Sequence, residues 1–378
     1  MSITNRTIFA SITAALLTVT PFPCSAQADN KTTSHEVQSA YKKSVAQAIK
    51  YLTVQGVGED GSYHRQADPG VTALVTAALL RHGMDTDDRR ISKSLKYLES
   101  YIREDGGIHR EGTFYRNYET SICIVCFAAA NRDGRYDDVL KKANAFVKAL
   151  QWDESEGKRS SNLEFGGAGY GKHQRPDLSN TQFMIEALLA SGDEANSEAI
   201  QRALVFVSRC QNLPSEYNDT KFAKKNPDGG FYYTPASGGV SQAGEHETEG
   251  GLRSYGSMTY AGLKSMIYAG VDASDKRVAA AVDWIGKHYD LTTNPGMGDA
   301  GLYYYFHTFA KALEALDQKL ITDADGDQHD WRGDLILELA RRQRADGAWV
   351  NDNERWMEND ANLVTAYALL ALWHAREK

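Results

Sequence analysis

The sequence predicts an all-α fold, a ring of helical hairpins, and three observations carry that prediction. First, an acid followed within two residues by glycine recurs six times, at Asp60-Gly61, Asp105-Gly106-Gly107, Glu164-Phe-Gly166-Gly167, Asp228-Gly229-Gly230, Asp299-Ala-Gly301 and Asp346-Gly347. Second, each mark lies between two helix-like segments. The upstream one has a single apolar stripe, as in Ile91, Leu95, Leu98 and Ile102, or Val278, Val282 and Ile285; the downstream one is more uniformly apolar. Third, each downstream segment carries Thr near its start: Thr72, Thr120, Thr181, Thr259, Thr308 and Thr365. A hydroxyl there can serve an unpaired backbone group of the first turn.

Two-helix units of this size cannot bury their apolar faces alone and must stack. With six units, closure into a ring is economical: uniformly apolar helices form the inner ring and striped ones the outer. An open superhelix is the alternative. The marks are unevenly spaced, so insertions fall mainly in the loops of repeats three to five, where added length costs little closure entropy.

Two stretches near the ends, Gln55-Gly-Val-Gly-Glu-Asp-Gly61-Ser-Tyr63 and Gln343-Arg-Ala-Asp-Gly347-Ala-Trp349, share Gln, an acid, Gly, any residue and an aromatic. This signature resembles the repeat of squalene cyclases, and the mature chain is similar throughout to the prenyltransferase and squalene oxidase repeat family. The resemblance implies an α/α toroid of six helical hairpins, with Gln and aromatic side chains tying neighbouring helices together.

Residues 1–28 read as a secretory signal peptide: Arg6, an apolar run from Ile8 to Val19, helix-breaking Pro21 and Pro23, then Ala26-Gln27-Ala28 as a cleavage site. The mature chain, 29–378, is expected to be a single toroid domain, periplasmic or secreted. Cys24 follows Pro21-Phe22-Pro23, which is no lipidation box. No later run approaches the ~20 apolar residues needed to cross a membrane. A net charge of -8 leaves no footprint for nucleic acid. Cys123, Cys126 and Cys210 form no disulfide framework and read as buried thiols.

Asp85-Thr86-Asp87-Asp88 has the form of the acid motif with which squalene-hopene cyclases protonate an alkene. In that family the acid sits at the mouth of an inner helix, whereas here it precedes an outer one, where acids complement the helix dipole. Protein prenyltransferases of the same fold hold zinc from inner-helix starts. In the matching stretches, Tyr255-Gly-Ser-Met-Thr259-Tyr260 and Tyr304-Tyr-Phe-His307-Thr308, only His307 fits a ligand position, so no metal and no cofactor is expected. Asp323-Ala-Asp325-Gly-Asp327 spaces its acids like a calcium loop, but its Gly is misplaced, and a β-hairpin insertion turning at Asp325-Gly326 is preferred.

What remains is the rim, where the loops entering the inner helices are rich in aromatic and ionisable groups: His64 and Asp68, Tyr118 and Glu119, Tyr303 to Tyr305 among them. His307, Glu358 and Asp360 are the candidates for proton transfer; Arg253, Tyr255, Tyr304, Asp177 and Trp356 are the candidates for contact with a ligand. Arg253, Tyr255, Tyr304, His307, Glu358 and Asp360 are expected to converge on one pocket. The partner expected is a small-molecule, lipid or glycan ligand. Three classes of function stay open: a binding toroid, a terpenoid-cyclase-like or prenyltransferase-like enzyme with altered chemistry, and a carbohydrate-active lyase or hydrolase by fold analogy.

Overall fold

The computed structural model describes residues 26–64, 69–246 and 250–377, with residues 26–33 as backbone alone. The leader through residue 25, with Cys24, and Asp68 lie outside the described residues. The helices run α1 (Ala26–Tyr51), α2 (Gly70–Arg81), α3 (Arg89–Glu99), α4 (Arg116–Ala130), α5 (Asp137–Lys148), α6 (Leu178–Ala190), α7 (Glu198–Arg209), the short α8 (Lys221–Lys225), α9 (Gly256–Tyr268), α10 (Lys276–Lys287), α11 (Leu302–Ala315), α12 (Trp331–Arg342) and α13 (Ala361–Ala375).

Helices α2, α4, α6, α9, α11 and α13 pack each against the next, and α13 returns to α2, so the inner ring closes. The outer ring, α1, α3, α5, α7, α10 and α12, closes where α1 packs on α12. Burial separates the two rings as the apolar patterns predict: α9 buries 11 of its 13 residues, α10 only 5 of 12. The fold is thus an α/α toroid rather than an open superhelix.

The acid–glycine marks are the turns that clamp the rings together. In five of them the N–H two residues past the glycine donates to the Thr of the inner helix: Tyr63 to Thr72, Ile108 to Thr120, Ala168 to Thr181, Phe231 to Thr259 and Trp349 to Thr365, at 2.9–3.1 Å. Each of these glycines has φ between +81° and +93°, and a Cβ on it would sit 1.8–2.8 Å from a backbone oxygen of the following outer helix. Only glycine tolerates both the left-handed backbone and that approach. Gln151, Gln211 and Gln343 complete three clamps, each Nε2 donating to the turn's glycine carbonyl and to a carbonyl of the next outer helix. For Gln343 that carbonyl is Ser44 of α1 at 2.9 Å, so the last repeat is tied to the first. Gln55 is exposed, and the first turn keeps the Gly–Thr contact without this clamp.

The fifth mark departs from the pattern. Gly301 is the N-cap of α11 at φ +67°, and Thr308 donates to Tyr304 and Tyr305 of its own helix. The Asp85 and Asp87 side chains lie on the exposed surface as expected, while Asp88 caps α3 by accepting from Arg90 N at 2.8 Å. The expected hairpin pairs β1 (Ile321–Thr322) with β2 (Gln328–His329), and Asp323 accepts from the N–H groups of Asp325 and Asp327. Cys123, Cys126 and Cys210 are buried thiols.

Candidate functional site

A cavity of about 850 Å³ opens at the end of the toroid where the inner helices begin. Residues of the first two turns of all six line it: Val71 and Leu74, Tyr118 and Glu119, Ser179, Ser257 and Met258, Tyr304, Leu363 and Tyr367. The volume lies in the range of small-molecule sites. Its wall is an aromatic basket of Tyr115, Tyr118, Tyr170, Tyr233, Tyr255, Tyr304 and Tyr367 with Trp356 at the lip. Edge-on and tilted ring contacts hold it in shape, Tyr115 to Tyr170 at 5.1 Å and Tyr304 to Tyr367 at 5.9 Å between centroids.

Tyr255, Tyr304, Trp356, Glu358 and Asp360 are brought together in this wall, as expected. Three other expected residues are placed elsewhere. Arg253 is exposed before α9, and its guanidinium turns to the Ala243 carbonyl at 3.3 Å. Asp177 is buried behind the wall as the N-cap of α6, accepting from Asn180 N at 2.8 Å. His307 sits almost one turn deeper on α11 than Tyr304, buried against Tyr367 with ring centroids 5.8 Å apart. Its Nδ1 has no hydrogen-bond partner among the described residues. The expected convergence of six groups therefore holds for Tyr255, Tyr304, Glu358 and Asp360 and not for Arg253 and His307. A side chain three residues on keeps the same face of the helix but lies almost one turn further from the mouth.

The carboxylates of the mouth are held by helix ends. Glu358 accepts from Tyr304 N at 2.8 Å, Tyr303 N at 3.3 Å and Asn351 at 2.7 Å, and so caps α11 from a neighbouring loop. Asp360 caps α13 through Leu363 N at 2.7 Å, with its other oxygen 3.4 Å from His64 Nε2. Glu119 accepts from Arg110 N and Thr113. Burial pushes the carboxyls of Glu119 and Glu358 above their usual range, against the pull of these donors, and raises Asp177 to about 6. Trp356 and Met357 occupy the left-handed region at φ +57° and +65°, a costly backbone that holds the indole, packed against Gly301, over the lip.

Beneath the basket the lumen is charged, which apolar patterning does not reveal. Glu186 of α6 binds Lys264 of α9 and Lys311 of α11, and Lys264 also donates to Gln182. Glu186, Lys264 and Lys311 are all buried. Burial would raise the Glu186 carboxyl, but the two ammoniums overcome it and hold it well below the usual range. Burial likewise lowers Lys264 and brings Lys311 down to about 7 against the pull of Glu186. It also keeps His307 neutral, with Lys311 acting in the same direction. At the far end His374 pairs with Glu314 and Arg81. The signal for this network was a lone Glu or Lys in otherwise apolar segments, Phe183-Met-Ile-Glu186-Ala-Leu and Phe309-Ala-Lys311-Ala-Leu.

No curated protein matches the chain. Among solved structures it is similar to a type II terpene cyclase from Scytonema in several states. The product complex with merosterolic acid A is 13% identical, covering 90% of this chain and 98% of that one at a TM-score of 0.33. An apo Tyr-to-Phe variant is 13% identical over 90% and 98% at 0.35. An Arg-to-Ala variant in complex with geranylgeranyl dihydroxybenzoate is 12% identical over 90% and 99% at 0.34. The family model of the squalene-hopene cyclase C-terminal domain matches residues 36–234, more than half of the sequence, and the chain belongs to that family.

Proposed function

We propose that this protein is an exported toroid that binds a small oxygen-bearing ligand in the tyrosine-lined pocket at its mouth and does not cyclise alkenes. The observation that carries the reading is the Glu186–Lys264–Lys311 network under the pocket. A carbocation travelling down the lumen would meet buried ammonium groups, and like charges repel strongly away from water. Alkene protonation also needs a strong acid. The pocket's buried carboxyls, Glu119 and Glu358, are weakened as acids by burial, and the Asp85–Asp88 segment lies on the outside. The basket instead offers ring faces and hydroxyls to a guest.

The test pairs two measurements. Squalene and geranylgeraniol incubated with purified protein should return unchanged by mass spectrometry. Acetophenone should give saturation transfer in NMR that Trp356→Ala weakens. Cyclised product that disappears with Asp360→Asn would overturn the reading. Export rests on the leader at 1–28, and N-terminal sequencing of periplasmic protein should begin at Asp29; an intact Met1 in cytoplasmic protein would refute it.

A second reading rests on the His64–Asp360 pair in the pocket wall, 3.4 Å apart. An imidazole beside a carboxylate suits acid–base chemistry on an exported carbohydrate. Release of reducing ends from a polysaccharide panel, lost in His64→Ala, would favour it over simple binding.

A further inference from the structure

Three hydroxyls face one another in the pocket wall. Tyr304 lies 3.2 Å from Ser179 Oγ, and Ser179 lies 3.4 Å from the Tyr118 hydroxyl. Behind them Gln182 bridges Tyr304, 3.3 Å from its Nε2, to Lys264. An ammonium donates and cannot accept, so the Gln182 oxygen must face Lys264 and its amide nitrogen must face Tyr304. The Tyr304 oxygen is therefore an acceptor toward Gln182, and its proton points away from the lumen network. Glu186, gripped by Lys264 and Lys311, fixes the ammonium that sets this polarity. Tyr304, Ser179 and Tyr118 bring three protons to two mutual contacts, so at least one proton is left for a guest.

We infer that Tyr118, Ser179 and Tyr304 form a subsite that donates a hydrogen bond to an acceptor oxygen of the ligand, with Gln182 and Lys264 as positioning residues that aim the Tyr304 proton. The inference deepens the pocket reading above and rests on it. Burial raises the phenol pKa values of Tyr118 and Tyr304, which keeps both protons in place at any working pH. Aromatic rings flank the subsite: Phe183 lies 4.5 Å from Tyr118 and 6.4 Å from Tyr304 between centroids, and Tyr367 lies 5.9 Å from Tyr304. The ligand class that fits is an apolar or ring body carrying a carbonyl, ester or carboxylate oxygen.

The experiment compares acetophenone with α-methylstyrene, which has nearly the same shape and no acceptor, by NMR titration of the full chain. The wild type should bind the ketone roughly tenfold more tightly, the worth of one well-placed hydrogen bond. Tyr304→Phe removes the proton that Gln182 aims and should lower that preference. Gln182→Glu is close to isosteric, and its carboxylate sits between Lys264 and Tyr304, where it accepts from both. The Tyr304 proton then turns inward and the preference falls, while circular dichroism and melting temperature hold. A purely structural role for Gln182 would leave the ratio unchanged. If the two probes bind equally to the wild type, or the preference survives both substitutions, the subsite is wrong and the pocket reading stands. If neither probe binds, both are wrong.

Discussion

The turn at Gly347 and the turn at Gly301 descend from the same sequence mark and have become different devices. At Gly347 the backbone presses on Gln47 of α1, Trp349 N donates to Thr365, and Gln343 clamps turn to helix. The contacts with Gln47 and Ser44 of α1 close the ring, and the Thr365 contact fixes the turn to α13. At Gly301 the backbone caps α11 instead, Thr308 turns back on its own helix, and the space above the glycine is filled by the Trp356 ring. Glu358, from the same loop as Trp356, supplies the cap of α11. The repeat that gave up its clamp is the one whose inner helix is capped by Glu358 and roofed by Trp356, both from the loop between Gly347 and α13 that builds the pocket lip. Regular repeats hold the toroid, and the departure from the repeat lies beside the cavity mouth.

The comparison can be broken or sharpened at other positions, and the largest effect is expected at Asp177, behind the wall. Its carboxyl is raised from 3.8 to about 6 by burial. A raised acid stabilises the fold fully below its unfolded value and loses that contribution as pH climbs through the folded one. The displacement corresponds to about 3 kcal/mol. Wild type should therefore lose stability relative to Asp177→Asn between about pH 4 and 6, read by denaturant melts, with no further divergence above. A constant difference across that window would show that Asp177 is ionised throughout as a simple cap.

The paired threonines come next. Thr365→Val leaves the buried Trp349 N–H unpaired and should cost about 2 kcal/mol. Thr308→Val removes only hydrogen bonds within α11 and should cost about 0.5 kcal/mol or less. Equal losses would mean that the repeat-five Thr is as structural as the others. The smallest effect is expected from changing Asp85 and Asp87 together to Asn: both are exposed, so melting temperature should barely move and ligand binding should not change. Loss of binding from that surface pair would contradict the placement of the site at the mouth.

Much of the architecture was legible because it rests on features that repeat: apolar periods, a glycine at each turn, a Thr at each inner-helix start. The basket was legible for a related reason, since Tyr118, Tyr255, Tyr304 and Trp356 crowd the loops that enter the inner helices. The lumen was not. Glu186, Lys264 and Lys311 lie on three helices far apart in the chain, and each alone reads as a stray charge in an apolar run; only ring closure makes them neighbours. His307 misled because its titration range suits proton transfer, yet it lies almost one turn below Tyr304 and is kept neutral by burial. Arg253 misled because proximity to Tyr255 in sequence says nothing about side-chain direction in a loop. Glu358 and Asp360 lie in the pocket wall and Asp177 behind it, and the work of all three as helix caps depends on which N–H groups point at them, which sequence does not show.

The most direct measurement sets Gly347→Ala beside Gly301→Ala and reads both melting temperature and acetophenone affinity. A Cβ at Gly347 would fall 2.5 Å from the Gln47 carbonyl at φ +93°, whereas one at Gly301 would meet Trp356 at 2.9 Å. The Gly347 variant should lose about 3 kcal/mol of stability with the affinity of the folded protein unchanged. The Gly301 variant should lose affinity several-fold, as the displaced indole opens the lip, with a smaller loss of stability. If instead the Gly347 change alters affinity, or the Gly301 change lowers stability alone, then clamp and pocket are not separate devices and the site lies elsewhere in the ring.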